Sequence, residues 1–237
     1  MATWGVHMMI VDELYHRGLS MDNRGFTVGN IAPDCNVENE DWTAFEPPRA
    51  VTHWMSSKKK LSADYEGFYN KYIKGRNFDN TEEKAFLYGY YAHLITDVEF
   101  QKFVRNEERI SEIYDRIKSA VGVNEIIIGK PENFDTLKNN FGKAEIFLDI
   151  YAQEMNYFNK NEKSNYNTIL KNIVDFNDYI DYIPKGAISR KLKIIIAEYS
   201  SNIEREKYIF FTEEEINSFV KNTCSIIEKE FHNKKVW

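Results

Sequence analysis

The spacing of apolar residues along the chain predicts a succession of amphipathic helices. In the segment from Thr3 to His16, residues His7, Val11 and Leu14 fall on one face, which is typical of a helix with one buried side. Further helices are predicted over these ranges: Ser62 to Ile73, Glu107 to Ala120, Phe134 to Phe158 with a break near Gly142, Asn167 to Tyr182, Ser189 to Ser200, and Thr212 to His232.

The longest predicted helix follows Asn80. Asn80 with Glu83 three residues later is typical of a helix N-terminus. The long apolar pattern that follows continues to about Val104, and four of its residues share one stripe: Phe86, Tyr90, His93 and Asp97. A similar capping pair, Thr212 with Glu215, begins the last predicted helix.

The remaining segments carry weaker patterns. Between Arg17 and Pro48, frequent Gly, Asn, Asp and Pro residues predict loops and short helices. The run Ile126 to Ile128 is compatible with a short strand, whereas Ile194 to Ile196 lies in a helix-length amphipathic segment and is expected to be helical. No internal repeat or second folding unit is indicated, so the pattern predicts an all-α, single-domain multi-helix bundle.

Composition supports this fold class. The chain has 237 residues, 43% of them hydrophobic, which suits one globular domain, and only 11 Gly and 5 Pro, which disfavours folds rich in hairpins. No apolar run is long enough to span a bilayer, and no signal-peptide pattern begins the chain, so we expect a soluble cytoplasmic protein. The two cysteines, Cys35 and Cys224, are expected to be reduced thiols.

The charge distribution points to the first part of the chain. The net charge is −6 and there is no basic stripe, which argues against sequence-specific binding of nucleic acid. Residues 1–100 contain 10 Lys and Arg against 15 Asp and Glu, as well as four of the five histidines. We therefore expect the chemistry of this protein to lie there.

His93 and Asp97 form the first candidate site, because residues four apart on a helix share one face. Such a pair is also found as a simple hydrogen-bonded pair at a helix interface, so on its own it is weak evidence. Asp97, however, continues an apolar stripe, and burying a carboxylate costs several kcal/mol unless a cation or donors compensate. A metal ion would compensate directly. Gly89, one turn before His93, indicates close packing of a neighbouring element.

Three further residues extend this candidate set. Asp34 follows Pro33 in a loop, His53 stands between Thr52 and Trp54, and His7 lies on the first helix. Each is weak evidence alone. Together with His93 and Asp97 they provide three imidazoles and two carboxylates, which suit zinc or a similar divalent ion.

The order and context of these residues carry a family resemblance. Four segments in this order resemble the zinc-dependent phospholipase C family: TWGVHMMI, GNIAPDC, THW and YYAHLITD. That family includes the amino-terminal domain of glycosylphosphatidylinositol-specific phospholipase D. The HxxxD pair also resembles that of the single-strand zinc nucleases with the same fold. The resemblance covers residues 3 to about 103. It implies a single helical domain over 1–237, with the metal-site motifs in 1–103 and helical packing elements in 104–237.

The resemblance also implies roles for the candidate ligands. Asp34, His53, His93 and Asp97 would hold one zinc, and Asp97 would bridge to a second zinc that His7 helps to bind. In secreted relatives a free amino-terminal Trp completes the second site, but Trp4 is internal here, so we expect it to pack against the site instead.

The third zinc of the family is expected to be absent. Gln101 stands where the family pattern has a His, and no His occurs between His93 and His232. Glu145 and Asp149 lie four apart on a predicted helix and are an alternative carboxylate pair, although an exposed acidic face is the favoured interpretation. We therefore predict one or two zinc ions.

The implied activity is metal-dependent hydrolysis of a phosphodiester or phosphomonoester by a metal-bound water, with Asp34 orienting or deprotonating that water. The substrate would be a small-molecule or lipid phosphoester, and no integral membrane association is expected. Trp54, Phe26 and Tyr91 are candidates for the mouth of the site, or else core residues. The alternative is a non-catalytic metal-binding scaffold or interaction protein. A di-iron carboxylate protein is disfavoured because paired ExxH motifs are missing.

Overall fold

The computed structural model describes residues 1–41, 43–55, 63–120, 127–200, 203 and 205–237, and this part of the chain is mostly helical. Its α-helices are α1 (Trp4–His16), α2 (Asn23–Gly29), α3 (Arg49–Thr52), α4 (Tyr65–Tyr72), α5 (Thr81–Val104), α6 (Glu107–Ser119), α7 (Phe134–Phe141), α8 (Lys143–Lys160), α9 (Asn165–Thr168), α10 (Ala187–Glu198) and α11 (Glu213–Asn233). Two short 3-10 helices span Ala32–Asp34 and Leu170–Asn172, and two strands, β1 (Val37–Glu38) and β2 (Phe45–Glu46), pair antiparallel. The all-α prediction is confirmed.

Helix α5 lies at the centre of the core. It begins where the sequence predicts, since the Asn80 side chain accepts hydrogen bonds from the backbone N–H groups of Glu82 (2.8 Å) and Glu83 (3.2 Å). Residues 85–97 are buried on every side of the helix. Such a helix must be covered all round, and α5 contacts α2, α4, α6 and α11.

Helices α2 and α5 cross with their backbones in contact. A Cβ atom at Gly29 would collide with the carbonyl oxygen of Phe86, and one at Gly89 would collide with that of Phe26. The predicted close approach at Gly89 is therefore confirmed, and α2 is the element that it admits.

The segment from Arg17 to Pro48 contains the predicted short helices and loops, together with a hairpin that the sequence did not indicate. Val37 pairs with Glu46 and Glu38 with Phe45. Two residues per strand are too few to produce a period-two pattern that could be recognised in the sequence.

The later helices follow their local signals. The break at Gly142 separates α7 from α8, and a capping box of Thr212 and Glu215 begins α11, with hydrogen bonds of 3.2 and 2.6 Å. Ile194 to Ile196 lies within α10, as predicted. Cys35 and Cys224 are buried and free.

The predicted helix from Asn167 to Tyr182 is wrong. The helical structure there consists of α9 and the second 3-10 helix, and residues 173–180 are neither helix nor strand. Polar side chains bind the local backbone instead: Asn172 Nδ2 donates to the Thr168 carbonyl (3.0 Å), and Asp178 accepts from Gly186 N (3.1 Å). Asn and Asp compete with helix formation in this way.

The short strand considered at Ile126 to Ile128 and the start of the helix predicted at Ser62 lie partly outside the described residues. Ile127 and Ile128 lie in a turn, and Ile126 is outside the described residues. Ser62, where a helix is predicted to begin, is outside them as well. Within the described residues, none of the helices combines the length and hydropathy that crossing a bilayer would require.

Candidate metal centre

The structure brings all five predicted ligands together in the interior. His7 comes from α1, Asp34 from the end of the first 3-10 helix, His53 from the end of α3, and His93 and Asp97 from α5. Their exposure ranges from 0% to 7%, so five ionisable side chains are buried around one point. Such a concentration of polar groups needs partners.

The crossing of α2 and α5 fixes the orientation of His93. Its Nδ1 lies 2.8 Å from the carbonyl oxygen of Asn30, the residue that ends α2. A carbonyl only accepts, so Nδ1 carries the proton and donates, and Nε2 presents its lone pair to the site. The contact of Gly89 with Phe26 and Asn30 is what allows α2 to come this close.

His53 is oriented in a similar way by its own short helix. Its Nδ1 lies 3.1 Å from the carbonyl oxygen of Arg49 and 3.0 Å from the Thr52 hydroxyl. Tyr90, one turn before His93 on α5, donates a hydrogen bond to the Thr52 carbonyl and so ties this turn to the central helix. The Nε2 atom of His53 is left facing the carboxylates.

The distances between the facing atoms match those around a metal ion. His53 Nε2 lies 3.2 Å from Asp34 Oδ1 and 3.7 Å from Asp97 Oδ2. The Nε2 atoms of His93 and His7 each lie 3.6 Å from an oxygen of Asp97. Ligands about 2.0 Å from a tetrahedral zinc are about 3.3 Å from one another, which is longer than a good hydrogen bond. The spacing therefore fits coordination better than direct pairing.

The hydrogen-bond inventory supports the same conclusion. Across the described residues, five buried atoms of this cluster have no hydrogen-bond partner: both ring nitrogens of His7, Nε2 of His53, Nε2 of His93 and Oδ2 of Asp97. Leaving buried polar atoms unsatisfied costs about 1–3 kcal/mol each. One or two bound divalent cations would satisfy one ring nitrogen of each histidine and the Asp97 oxygen, so the residues present fit zinc.

His7 and Asp97 have the charge states that a metal site requires. Burial, together with His93, lowers the pKa of His7 to about 4, so His7 is neutral at neutral pH. Burial acts to raise the pKa of Asp97, but His93 and His7 outweigh it and hold that pKa well below its usual range. Neutral imidazoles and ionised carboxylates are the forms that bind a metal. Burial acts to lower the pKa of His93, but Asp97 outweighs it and raises that pKa, so an ion would compete with a proton at His93.

The ligand atoms form two overlapping groups. One consists of His7, His93 and Asp97, and the other of Asp34, His53 and His93. The two oxygens of Asp97 face different partners, because Oδ1 lies toward His7 and Oδ2 toward His53 and His93. This geometry is compatible with one ion or with two ions that share a carboxylate.

The family model described as zinc dependent phospholipase C matches residues 6–233. The chain belongs to that family. The match extends far beyond the first 103 residues in which the motifs lie, so the helices from α6 to α11 are part of the family fold as well. Comparison with curated proteins and with solved structures found no match.

Trp4 packs against the ligand cluster of this member of the zinc-dependent phospholipase C family, as expected from its internal position. Its indole Nε1 donates a 2.9 Å hydrogen bond to Asp34 Oδ2. Because His53 faces the other oxygen of Asp34, the carboxylate is held on both sides. On the far side of the centre, the backbone N–H of Ala2 donates to Asp97 Oδ1 at 2.9 Å.

The carboxylates considered as a replacement for the third site have another role. Asp149 is fully buried, so the exposed acidic face expected there is wrong for this residue. Asp149 accepts hydrogen bonds from Arg205 Nε (2.8 Å) and from the backbone N–H groups of residues 209–211, while Glu145 pairs with the same arginine (2.8 Å). Gln101 accepts a hydrogen bond from Arg105. These side chains are held outside the two ligand groups.

Glu154 is a buried carboxylate that sequence analysis missed. It lies on α8 and accepts hydrogen bonds from Val6 N (2.7 Å) and from the Tyr199 hydroxyl (2.7 Å), so it caps the first turn of α1 one residue before His7. A Cβ at Gly5 would collide with it. A signal was available, because Glu154 continues the apolar stripe of Ile146 and Ile150 just as Asp97 continues that of α5.

The three aromatic residues that were candidates for the mouth of the site differ in their burial. Phe26 and Tyr91 are completely buried in the core, so a lining role for them is wrong. Trp54 is half-buried beside His53, with its Nε1 donating to the Tyr182 hydroxyl at 3.0 Å.

Proposed function

We propose that this chain is a metal-dependent phosphoesterase, phospholipase C-like, that uses one or two zinc ions to hydrolyse a phosphodiester or phosphomonoester. Membership of the zinc-dependent phospholipase C family, whose members are hydrolases, supports the reaction class. The observation that carries the proposal is the convergence of five buried candidate ligands, four of which have unsatisfied atoms, at coordination spacing.

The residues that would hold the metal are His7, Asp34, His53, His93 and Asp97. Zinc bound there would lower the pKa of a water and neutralise charge on phosphoryl oxygens. The protein's own contribution is orientation: the carbonyls of Asn30 and Arg49 fix the His93 and His53 rings before any ion arrives. A site prepared in this way loses little entropy on binding.

Asp34 would orient the attacking water. Its Oδ2 is fixed by the Trp4 indole, while Oδ1 faces His53. Burial acts to raise the pKa of Asp34, but His53, 3.2 Å away, outweighs it and holds that pKa well below its usual range. A carboxylate of low pKa accepts a hydrogen bond well but holds a proton weakly, so orientation is favoured over proton storage.

The test is hydrolysis measured with zinc-loaded protein against a panel of lipid, nucleotide and aryl phosphoesters. We expect turnover that a chelator abolishes and added zinc restores. The variant Asp97→Asn should abolish turnover. Its control, Asp79→Asn, changes an exposed residue just before α5 and should leave turnover unchanged. Zinc binding without turnover of any substrate would instead support the scaffold function.

A further inference from the structure

A chain of hydrogen bonds begins and ends on the two neighbours of His53. The Trp54 indole Nε1 donates to the Tyr182 hydroxyl at 3.0 Å, and the Tyr182 hydroxyl donates to that of Tyr90 at 2.9 Å. The Tyr90 hydroxyl in turn donates to the carbonyl oxygen of Thr52. Together these three bonds form a tyrosine bridge. Because residues 52 and 54 flank His53, the tyrosine bridge encloses the backbone that carries this candidate ligand.

The direction of every bond in the tyrosine bridge is fixed by the groups that take part. The Trp54 indole nitrogen can only donate, and the Thr52 carbonyl can only accept. Each tyrosine hydroxyl has a single proton, so that of Tyr182 points to Tyr90 and that of Tyr90 points to Thr52. Removing the Tyr182 hydroxyl would therefore break two of the three bonds.

Each end of the tyrosine bridge meets a need of the turn around His53. Thr52 is the last residue of α3, and the final carbonyls of a helix have no partner within that helix. Trp54 has a φ of 51°, in the left-handed region that bulky residues rarely adopt. Such a conformation persists only where its surroundings hold it. The bond to Tyr182 and an edge-to-face contact with Phe68, with ring centres 5.7 Å apart, hold Trp54 here.

Thr52 connects the tyrosine bridge to the imidazole of His53. The His53 Nδ1 lies 3.0 Å from the Thr52 hydroxyl and 3.1 Å from the Arg49 carbonyl oxygen. In this orientation Nε2 faces Asp34 Oδ1 at 3.2 Å. A shift of residues 52 and 54 would therefore turn Nε2 away from the other candidate ligands.

Tyr182 and Tyr179 both attach the non-helical segment before α10 to α5. The Tyr182 hydroxyl donates to Tyr90, and the Tyr179 hydroxyl donates to Glu82 at 2.7 Å. Both side chains are half-buried. Tyr182 also bonds to the turn that carries His53, whereas the Tyr179 hydroxyl bonds to side chains near the start of α5 and in its own segment. Comparing the two separates attachment of the segment from a role at the metal centre.

We propose that Tyr182 is a positioning residue of the metal centre, which through Trp54 and Tyr90 holds His53 in the orientation that binds an ion. The inference rests on the proposed function, because it takes His53 as a metal ligand of that site. It applies to one ion or to two, since His53 shares a ligand group with Asp34 and His93.

Zinc affinity of Tyr182→Phe, with Tyr179→Phe as the matched control, tests this role. Each variant keeps its ring and loses one hydroxyl group from the same segment. By titration against a competing chelator, we expect Tyr182→Phe to bind zinc about tenfold more weakly than the wild type, because groups that orient metal ligands commonly have effects of this size. Tyr179→Phe should bind as the wild type does. With cobalt(II) in place of zinc, the visible absorption spectrum reports ligand geometry and should change in Tyr182→Phe only.

Ring-nitrogen NMR signals of the histidines in metal-free protein provide a readout that needs no ion. The His53 signals, assigned by their absence in His53→Gln, should show one tautomer with the proton on Nδ1 in the wild type and in Tyr179→Phe. In Tyr182→Phe they should show a mixture of tautomers, because the ring is no longer held in one orientation.

Equal zinc affinity of the wild type and Tyr182→Phe would overturn the positioning role, and so would an equal loss of affinity in Tyr179→Phe. If the wild type binds no zinc, the proposed function fails, and the His53 signals of the metal-free proteins decide the positioning role. If the wild type hydrolyses phosphoesters while Tyr182→Phe binds zinc unchanged, the positioning role fails and the function stands.

Discussion

At the scale of single residues, the centre depends on buried polar atoms that the protein leaves unsatisfied. Asp97 is the most connected of them, because its two oxygens face His7 on one side and His53 and His93 on the other. A residue in this position would affect every ion bound at the cluster. His93 belongs to both ligand groups, and the other three candidate ligands each face a smaller part of the cluster.

Asp97→Ala should therefore remove more metal than any other single change. We expect at least about 100-fold weaker zinc binding, since even the partners of metal ligands are commonly worth 10- to 100-fold. Zinc content of protein purified without chelator, measured by elemental analysis, gives the result. Asp79→Ala is the control, and a His7→Ala variant that loses as much zinc as Asp97→Ala would contradict the bridging role.

Glu154 should make stability depend on pH. Burial raises the pKa of Glu154 from its ordinary value of 4.5 to about 7, so between these pH values the folded protein binds a proton that the unfolded chain releases. Its contribution is complete below about pH 4.5 and is lost as the pH rises through about 7. The difference between the two pKa values corresponds to about 3 kcal/mol in the free energy of unfolding.

Denaturant unfolding of chelated protein between pH 5 and 8 measures this contribution. We expect the wild type to lose stability across this range, whereas Glu154→Gln, which cannot ionise, loses less. Taking the difference between the two proteins cancels the titration of the histidines. Equal slopes in both proteins would mean that Glu154 is ionised throughout this range.

At the scale of elements, the crossing of α2 and α5 links packing to the site. The carbonyl of Asn30 reaches His93 only because Gly29 and Gly89 let the two backbones touch. The same crossing brings the 3-10 helix that carries Asp34 against α5. Helix packing therefore sets ligand geometry here.

Gly89→Ala should weaken both the fold and the site. The added methyl group would meet the Phe26 carbonyl, and overpacking of this kind costs about 1–3 kcal/mol. Because α2 would have to move, we also expect weaker zinc binding. Urea unfolding and zinc titration provide the two measurements, and Lys84→Ala on the exposed side of α5 should change neither by a measurable amount. A variant that unfolds as the wild type does would show that the crossing tolerates a side chain.

At the scale of the whole molecule, the ligands come from α1, the first 3-10 helix, α3 and α5, so a bound ion would connect elements that are distant in the chain. An ion that binds the folded state and not the unfolded chain stabilises the fold by mass action. Metal content and global stability should therefore change together.

Zinc should raise the thermal midpoint of the protein. At a free concentration about 100 times Kd, the gain is about 2.7 kcal/mol, which corresponds to about 5–10 °C for a domain of this size. Scanning calorimetry of chelated and zinc-loaded samples measures the shift. Asp97→Ala should abolish it, and an equal shift in that variant would place the stabilising ion elsewhere.

The sequence by itself determined most of the helices and pointed to the five candidate ligands. Helix periodicity and capping pairs, such as Asn80 with Glu83 and Thr212 with Glu215, act over a few residues, so they can be recognised locally. The order of the His and Asp motifs was sufficient to indicate the family, which the match over residues 6–233 confirms.

The tertiary structure decided what each buried polar group contacts. Glu154 accepts a hydrogen bond from Val6, 148 residues away, and Asp149 binds the backbone of residues 209–211. No local pattern encodes such partners, because the burial of a carboxylate is decided by elements that pack against it from elsewhere in the chain. The helix predicted from Asn167 to Tyr182 does not form, because polar side chains there bind the local backbone. The apolar residues between them enter the common core.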